Sequence, residues 1–380
     1  MAALAKPAIG KHEMASDQKM KERVPWWTWS VPLGAWLLLA AKFAGIVPAD
    51  AGAVLLAAAL LLAGTVFAAV HHAEVVALRV GEPFGSIVLA VAVTVIEVAL
   101  IVSIMISGSN GSEAVARDTV FAAVMIVLNG VVGFCLLLGG TRHYEQTFQA
   151  QGAAAALGVL GTLAIFALVL PNFTRTTPGP FYANEQILFI GAVSLCLYGL
   201  FLFVQAVRHR DYFLVADGPD AGFQHHTPSA KTALTSLILM CVALIAVVLL
   251  AKTLSPSIER AVVGAGLQTA FVGVIIAALV LLPEGIAALA AARANRLQIS
   301  LNLALGSALA TIGMTIPVVA VVSVLIGQQL VMGLPEEEMV LLVLTLFIST
   351  LTLATGRTTV LQGAIHTVIF LVFILLSIRP

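Results

Sequence analysis

Two acidic residues lie inside apolar runs that are long enough to cross a membrane. Glu97 is in the middle of the run IVLAVAVTVIEVALIVSIMI, and Glu284 follows Pro283 at the end of the run TAFVGVIIAALVLL. A carboxylate at the centre of a bilayer costs about 2.5–3.5 kcal/mol on insertion scales, and it usually faces a cavity, a partner or an ion. The two residues therefore predict a site that binds cations or protons.

The surroundings of Glu284 predict an interrupted helix. Pro283 removes a backbone donor, and Gly285 loosens the following turn. Irregular backbone at membrane depth occurs where it lines a cavity or is buried in protein, so we expect carbonyl oxygens to face the site here. A plain kink, in which Glu284 only caps backbone groups, is the alternative interpretation.

A stripe of hydroxyl groups follows in the next apolar run. Ser307 comes directly after Gly306, and Thr311 and Thr315 follow at steps of four residues, so the three side chains share one helix face. We expect a second break at Gly306 and an oxygen ligand at Ser307. Helix–helix packing through small residues explains the two threonines equally well.

Four other residues are candidates for the same chemistry. Thr94 lies one turn before Glu97 and can share its face. Asn129, in the following apolar run, can supply an amide oxygen. Glu74 and His72 lie near one end of an earlier run, where they could form a secondary path for protons or cations or could simply be solvated.

The composition requires a membrane protein. Apolar residues make up 60% of the 380 residues and charged residues only 10%, and the mean hydropathy is +1.06. We predict an all-α polytopic membrane protein, because the apolar runs are continuous rather than alternating. The eleven predicted spans are 27–48, 52–78, 84–107, 119–140, 152–171, 187–207, 232–252, 265–292, 299–326, 338–355 and 359–378.

The distribution of Lys and Arg predicts the orientation. If the N-terminus is cytoplasmic, 13 of the 19 basic residues lie on the cytoplasmic side of these spans, as the positive-inside rule requires. An odd number of spans then places the C-terminus outside.

The longest polar connection divides the spans into two groups of five. A polar tail (1–26) and a first helix (27–48) precede the first group (52–207), and a cytoplasmic linker (208–231) joins it to the second (232–380). Because five is odd, the two groups would have opposite topology, which is a common plan among transporters with a site at the midplane. Each group carries one of the two acidic residues in its second span.

No motif for nucleotide hydrolysis or for a hydrolytic nucleophile is present: HExxH, the Walker glycine loop and GxSxG are all absent. A membrane enzyme remains an alternative, with His71, His72 and Glu74 as its only candidate triad, and so does a channel. We expect no cofactor.

Several segments together resemble one family, and the resemblance covers nearly everything from about residue 28 to the end. The chain is similar to the calcium/proton exchanger (CAX) family of the cation/Ca2+ antiporter superfamily, and within it to the bacterial ChaA-type calcium (sodium, potassium)/proton antiporters. The segments are HAEVVALRVGEPFG, AVTVIEVALI, RDTVFAAVMIV, GFCLLLGG, PEGIAALAAARANRLQISLNLALGSALATIGMTIPV and TGRTTVLQGAIH.

This resemblance implies an eleven-helix fold in which the first helix is a separate gating element and two inverted five-helix repeats follow. It places the family's repeat carboxylates on Glu97 and Glu284, and its Gly-Ser turn on Gly306-Ser307. The chain departs from the family pattern before each acid, where Gly-Asn is replaced by Val93-Thr94 and by Val280-Leu281 or nearby residues. The missing amide oxygens weaken the case for a calcium-only site.

The expected function is secondary antiport of Ca2+, and of Na+ or K+, against H+ through alternating access at a midplane carboxylate site. An exchanger of monovalent cations with little Ca2+ activity is the alternative. The expected partners are inorganic cations, protons and the lipid bilayer, without nucleic acid, and no particular oligomeric state is predicted. The expected location is the bacterial inner membrane.

Overall fold

Eleven long helices dominate the computed structural model, which describes residues 25–48, 51–81, 84–107, 112–213 and 227–379. The predicted all-α membrane fold is confirmed. In chain order the helices are α1 (Trp27–Phe43), α2 (Gly52–Val80), α3 (Phe84–Ser107), α4 (Val115–His143), α5 (Ala150–Phe173), α6 (Asn184–Arg208), α7 (Ala230–Gly264), α8 (Phe271–Arg293), α9 (Leu297–Ile326), α10 (Glu336–Leu353) and α11 (Val360–Ile378).

Among the described residues, 9 helices are long and apolar enough to cross a membrane by themselves. The other two are α1, which has 17 residues, and α10, whose first turn carries three glutamates. Both are still close to the ~17 residues that a short span requires.

Helix α7 differs most from its prediction. It continues to Gly264, beyond the expected end at 252, and α8 begins only at Phe271. The sequence pattern ended the span at Lys252, but apolar residues resume after it, and Leu254 and Val262 are buried. With 35 residues, α7 is about 52 Å long at 1.5 Å per residue, so it must tilt or project from the hydrocarbon layer.

The predicted helix breaks at Pro283, Gly285 and Gly306 are wrong, because all three residues lie within continuous helix. Pro283 removes one amide donor, which leaves the carbonyl of Leu279 without its usual partner but need not end the helix. Irregular geometry occurs elsewhere.

Two π-helical turns interrupt the central helices. One covers Ile126–Val131 in α4, and the other covers Thr311–Thr315 in α9. A π-helical turn inserts extra residues into the α-helical register and is frequent at functional sites. Two further π-helical turns lie in α5 and α6.

Hydrogen bonds between connections define two opposite faces of the bundle. On the first, here named the sheet face, strand β1 (Glu145–Thr147) pairs antiparallel with β2 (Arg357–Thr359), joining the α4–α5 and α10–α11 connections. The ring of His143 also contacts the carbonyl of Arg293 there, at 3.1 Å. On the opposite face, the amide of Val331 donates to the carbonyl of Glu113. Successive helices therefore run in opposite directions.

Helices α3, α4, α8 and α9 pack together at the centre of the bundle. Glu97 lies thirteen residues after the first residue of α3, and Glu284 thirteen residues after the first residue of α8. Each of these helices packs against the π-helical turn of the other half of the chain, α3 against the turn in α9 and α8 against the turn in α4. The two halves thus repeat each other's local plan.

Candidate cation site

Glu97 is a buried carboxylate with one protein hydrogen bond. Its side chain is only 2% exposed. The hydroxyl of Thr311 donates to its Oε2 atom at 3.0 Å, whereas Oε1 is buried and has no partner. Thr315 faces the same carboxylate, but its hydroxyl makes no hydrogen bond. One oxygen of Glu97 therefore remains free for a cation or a proton.

The bond between Thr311 and Glu97 joins the two halves of the chain. A threonine in an α-helix usually donates back to a carbonyl of its own helix, as Thr119 does to the carbonyl of Val115. Thr311 begins the π-helical turn of α9 and donates across to α3 instead. The packing of α3 on this turn therefore fixes the position of the Glu97 carboxylate.

Glu284 has no comparable side-chain partner. Its Oε2 atom is buried and makes no hydrogen bond, and its helix α8 packs against α3, which carries Glu97. The ion pairs Arg117–Asp118 and Arg357–Glu145 do not involve either acid.

More hydroxyl groups lie on the helices of this centre, on α3 (Thr94 and Ser103) and on α9 (Ser307). The Oγ atoms of Ser307 and Ser103 are buried without partners. Thr94 is 4% exposed, and its hydroxyl contacts only the sulfur of Met314, at 3.7 Å. A buried hydroxyl without a partner costs free energy, so the unpartnered Oγ atoms of Ser103 and Ser307 mark this part of the core as unusually polar.

Glu74 and His72 separate in the structure. Glu74 is exposed on α2, a helix that also packs against α8. His72 is fully buried, and its Nε2 atom lies 3.2 Å from the carbonyl oxygen of Thr28 in α1. Residues two apart on one helix do not face each other, so His72 attaches the first helix while Glu74 projects in another direction.

Asn129 lies in the π-helical turn of α4, and its amide is engaged away from both acids. Its Nδ2 atom donates to the hydroxyl of Thr345 at 2.8 Å, and its Oδ1 atom lies 3.0 Å from Nδ1 of His366. The other ring nitrogen of His366 lies 3.2 Å from the hydroxyl of Thr352. All four side chains are at most 4% exposed.

Sequence reasoning undervalued two features of this centre. The spacing identifies Thr311 only as part of a stripe, although its hydroxyl donates directly to Glu97. His366 was passed over, although an ionisable residue within the apolar run of α11 is itself a signal of function.

The donors present suit a hard cation that shares its site with protons. Carboxylate and hydroxyl oxygens are the ligands that Ca2+ and similar cations accept. The described part of the chain has no group of three or more His, Cys, Asp or Glu side chains placed to hold a metal ion.

Two acids at matching positions of neighbouring helices, in an all-helical membrane fold, are typical of a secondary transporter. Comparison with known proteins leads to the same class of protein. The model of the family described as "Sodium/calcium exchanger protein" matches residues 51–207 and 235–379. The chain therefore belongs to the sodium/calcium exchanger protein family, and it is a secondary transporter, not an enzyme.

Individual relatives are similar over most of their length. The y4hA protein of Sinorhizobium fredii, provisionally named an ionic transporter, is 56% identical over 96% of this chain and 99% of its own. The sodium-potassium/proton antiporter ChaA of Escherichia coli is 37% identical over 81% of this chain and 84% of its own. The solved structure of native YfkE has a TM-score of 0.71 at 18% identity, covering 92% of this chain and 98% of that one. This structural similarity shows that the protein and YfkE share a fold.

Proposed function

We propose that the protein exchanges cations for protons across the membrane, and that Glu97 and Glu284 carry both in turn. The observation that carries this proposal is the pair of buried carboxylate oxygens without partners, Oε1 of Glu97 and Oε2 of Glu284. Two carboxylates that share a poorly solvated space repel each other, so a cation or protons must neutralise them. Competition for the same oxygens then couples the two fluxes.

The proposed cation site contains the two carboxylates and the unpartnered hydroxyl of Ser307. Thr94 adds a weakly engaged hydroxyl. The carbonyl of Leu279, which Pro283 leaves without its helical partner, can supply another oxygen. Water completes the six to eight oxygens that Ca2+ prefers.

The acids suggest a route from the sheet face to the site. At 1.5 Å per residue, Glu74 is about 9 Å from the end of α2, Glu284 about 14 Å from the end of α8 and Glu97 about 20 Å from the start of α3. All three of these helix ends lie on the sheet face. Because the three acids lie at successive depths on helices that pack against one another, we propose Glu74 as the outer station of a proton or cation path.

We propose that the sheet face is cytoplasmic. Positive charge concentrates there, at the ends of α2, α4, α6 and α8 and at the start of α7. Those residues are Arg79, Arg142, Arg208, Lys231 and Arg293. The first helix then begins inside, α11 ends outside, and export of the cation against proton entry suits an inner bacterial membrane.

The range of transported cations is proposed as Ca2+ together with Na+ or K+. Exchange of monovalent cations with little Ca2+ activity is the second candidate. It is favoured by the printed name of the ChaA relative, sodium-potassium/proton antiporter, and by Thr94 and Leu281, which stand where the resemblance expects amide side chains.

Reconstitution into vesicles tests the proposal. A pH-sensitive dye trapped inside acid-loaded proteoliposomes should report loss of the gradient on addition of Ca2+, and of Na+ or K+ at higher concentration. Loss with the monovalent ions alone supports the second candidate. Cation flux that needs no opposite proton movement would identify a channel and reject antiport.

A further inference from the structure

The two carboxylates of the proposed site are supported differently, although the repeats match. Thr311 is the fifteenth residue of α9 and Asn129 the fifteenth residue of α4, and each lies in a π-helical turn. Thr311 bonds directly to Glu97. Asn129 instead donates to the hydroxyl of Thr345 in α10. Glu284 keeps an oxygen without a hydrogen-bond partner. The support of Glu284 must therefore come from packing.

Asn129 is one member of a buried polar cluster, here named the α4 clamp, which consists of Asn129, Thr345, Thr352 and His366. The clamp joins the π-helical turn of α4 to α10 through Thr345 and to α11 through His366, while His366 also contacts Thr352 of α10. Burial makes these bonds costly to lose, because an orphaned polar group cannot turn to water.

Close approach of α4 and α11 makes the clamp rigid. Gly133 lies one turn after Asn129, and a Cβ atom added there would stand only 2.9 Å from Cβ of His366. The imidazole therefore has little freedom to move along α4. Since the Asn129 carbonyl faces Nδ1, the neutral tautomer with a proton on Nδ1 satisfies both Asn129 and the Thr352 hydroxyl.

The opposite side of the same turn touches the proposed cation site. Val131 is two residues after Asn129 and therefore projects from nearly the opposite side of the helix. It packs against α8 at Gly285, where an added Cβ atom would lie 3.3 Å from Cγ2 of Val131. Gly285 is the neighbour of Glu284, so a continuous contact leads from the imidazole to the less supported carboxylate.

We propose that His366 is a positioning residue for the cation site: through Asn129 it fixes the π-helical turn of α4, and through Val131 and Gly285 that turn fixes Glu284. This inference rests on the proposed function and adds a determinant of cation selectivity to it. Ca2+ requires both carboxylates in place, whereas a monovalent cation needs less charge. Loosening Glu284 therefore penalises Ca2+ more than K+.

The test compares His366→Phe with the double variant His366→Phe/Asn129→Leu. The single variant orphans the amide of Asn129 and should lower the yield of folded protein. The double variant removes both polar partners, so its yield should recover. In both, the ratio of the Ca2+ to the K+ half-saturation concentration should rise about tenfold, the lower end of what loss of an outer partner costs at metal sites.

Two further variants sharpen the test. Ser349→Ala removes a buried hydroxyl of α10 that has no partner, and it should leave both yield and ratio unchanged. His366→Asn keeps a polar partner for Asn129, so its ratio should lie between that of the wild type and that of His366→Phe. If the ratio returns to the wild-type value when the yield recovers in the double variant, His366 has only a structural role and the inference fails.

The same vesicles separate this failure from that of the proposed function. If the wild-type protein exchanges no cation for protons, the proposed function and the positioning role of His366 are both rejected. A wild-type protein that exchanges both cations, with an unchanged ratio in His366→Phe and in the double variant, would reject the positioning role alone.

Discussion

Replacing Thr311 by valine tests the geometry around Glu97 most directly. Valine has nearly the same shape as threonine, so the change removes the hydroxyl that donates to Oε2 at 3.0 Å and little else. A hydrogen bond to a charged group is worth about 1.5–3 kcal/mol. Because Oε1 is free, a bound cation can use it while Oε2 keeps the hydroxyl, so the bond supports the cation-bound form.

The expected loss follows from that free energy. At about 1.4 kcal/mol per factor of ten, the cation half-saturation concentration at fixed pH should rise roughly 10- to 150-fold in Thr311→Val. Thr311→Ser keeps the donor and should stay near the wild-type value. Thr350→Val removes an exposed hydroxyl that bonds only to its own helix, which makes it the matched control.

Proton release from acid-loaded proteoliposomes, titrated with Ca2+ and with K+, measures these concentrations. Protein per vesicle is quantified in parallel, so a folding defect cannot imitate a binding defect. A half-saturation concentration within twofold of wild type for Thr311→Val, at equal protein content, would show that the Thr311 bond does not support the transported ion.

Three other outcomes are expected. Glu97→Gln and Glu284→Gln should insert normally and lose exchange, and near-normal transport by either would contradict a shared site. Reporter fusions within 215–225 and after Pro380 should report opposite sides of the membrane, whereas signals from one side would mean a miscounted span. Exchange of Na+ or K+ should grow as external protons become scarce and stop competing for the carboxylates, and a response that is flat from acid to alkaline pH would argue against competition.

The sequence predicted the fold well because hydrophobic length and charge bias report directly on membrane spans. It failed at helix ends and breaks, where Lys252 lies within α7 and Pro283 within α8. Proline and glycine are local signals, but the packing of neighbouring helices decides whether the helix ends. The π-helical turns left no such local mark, since they depend on contacts across the bundle.

For the site, the acids were predictable because a carboxylate in an apolar run is rare and costly. The hydrogen-bond partners of these acids were not predictable. Nothing in the spacing of Ser307, Thr311 and Thr315 distinguishes the one hydroxyl that reaches Glu97, because the π-helical turn changes which side of α9 each faces. Asn129 likewise suggested an ion ligand, and only the structure shows its amide bonded to Thr345 and His366.

The small sheet of β1 and β2 affects how the transporter can move. Its three residue pairs join the α4–α5 connection of one half of the sequence to the α10–α11 connection of the other. A motion that opened the bundle between the two sequence halves would have to break this ladder. A motion that carries α4, α5, α10 and α11 together would preserve it. The bodies that move past each other would then each combine helices from both halves of the sequence.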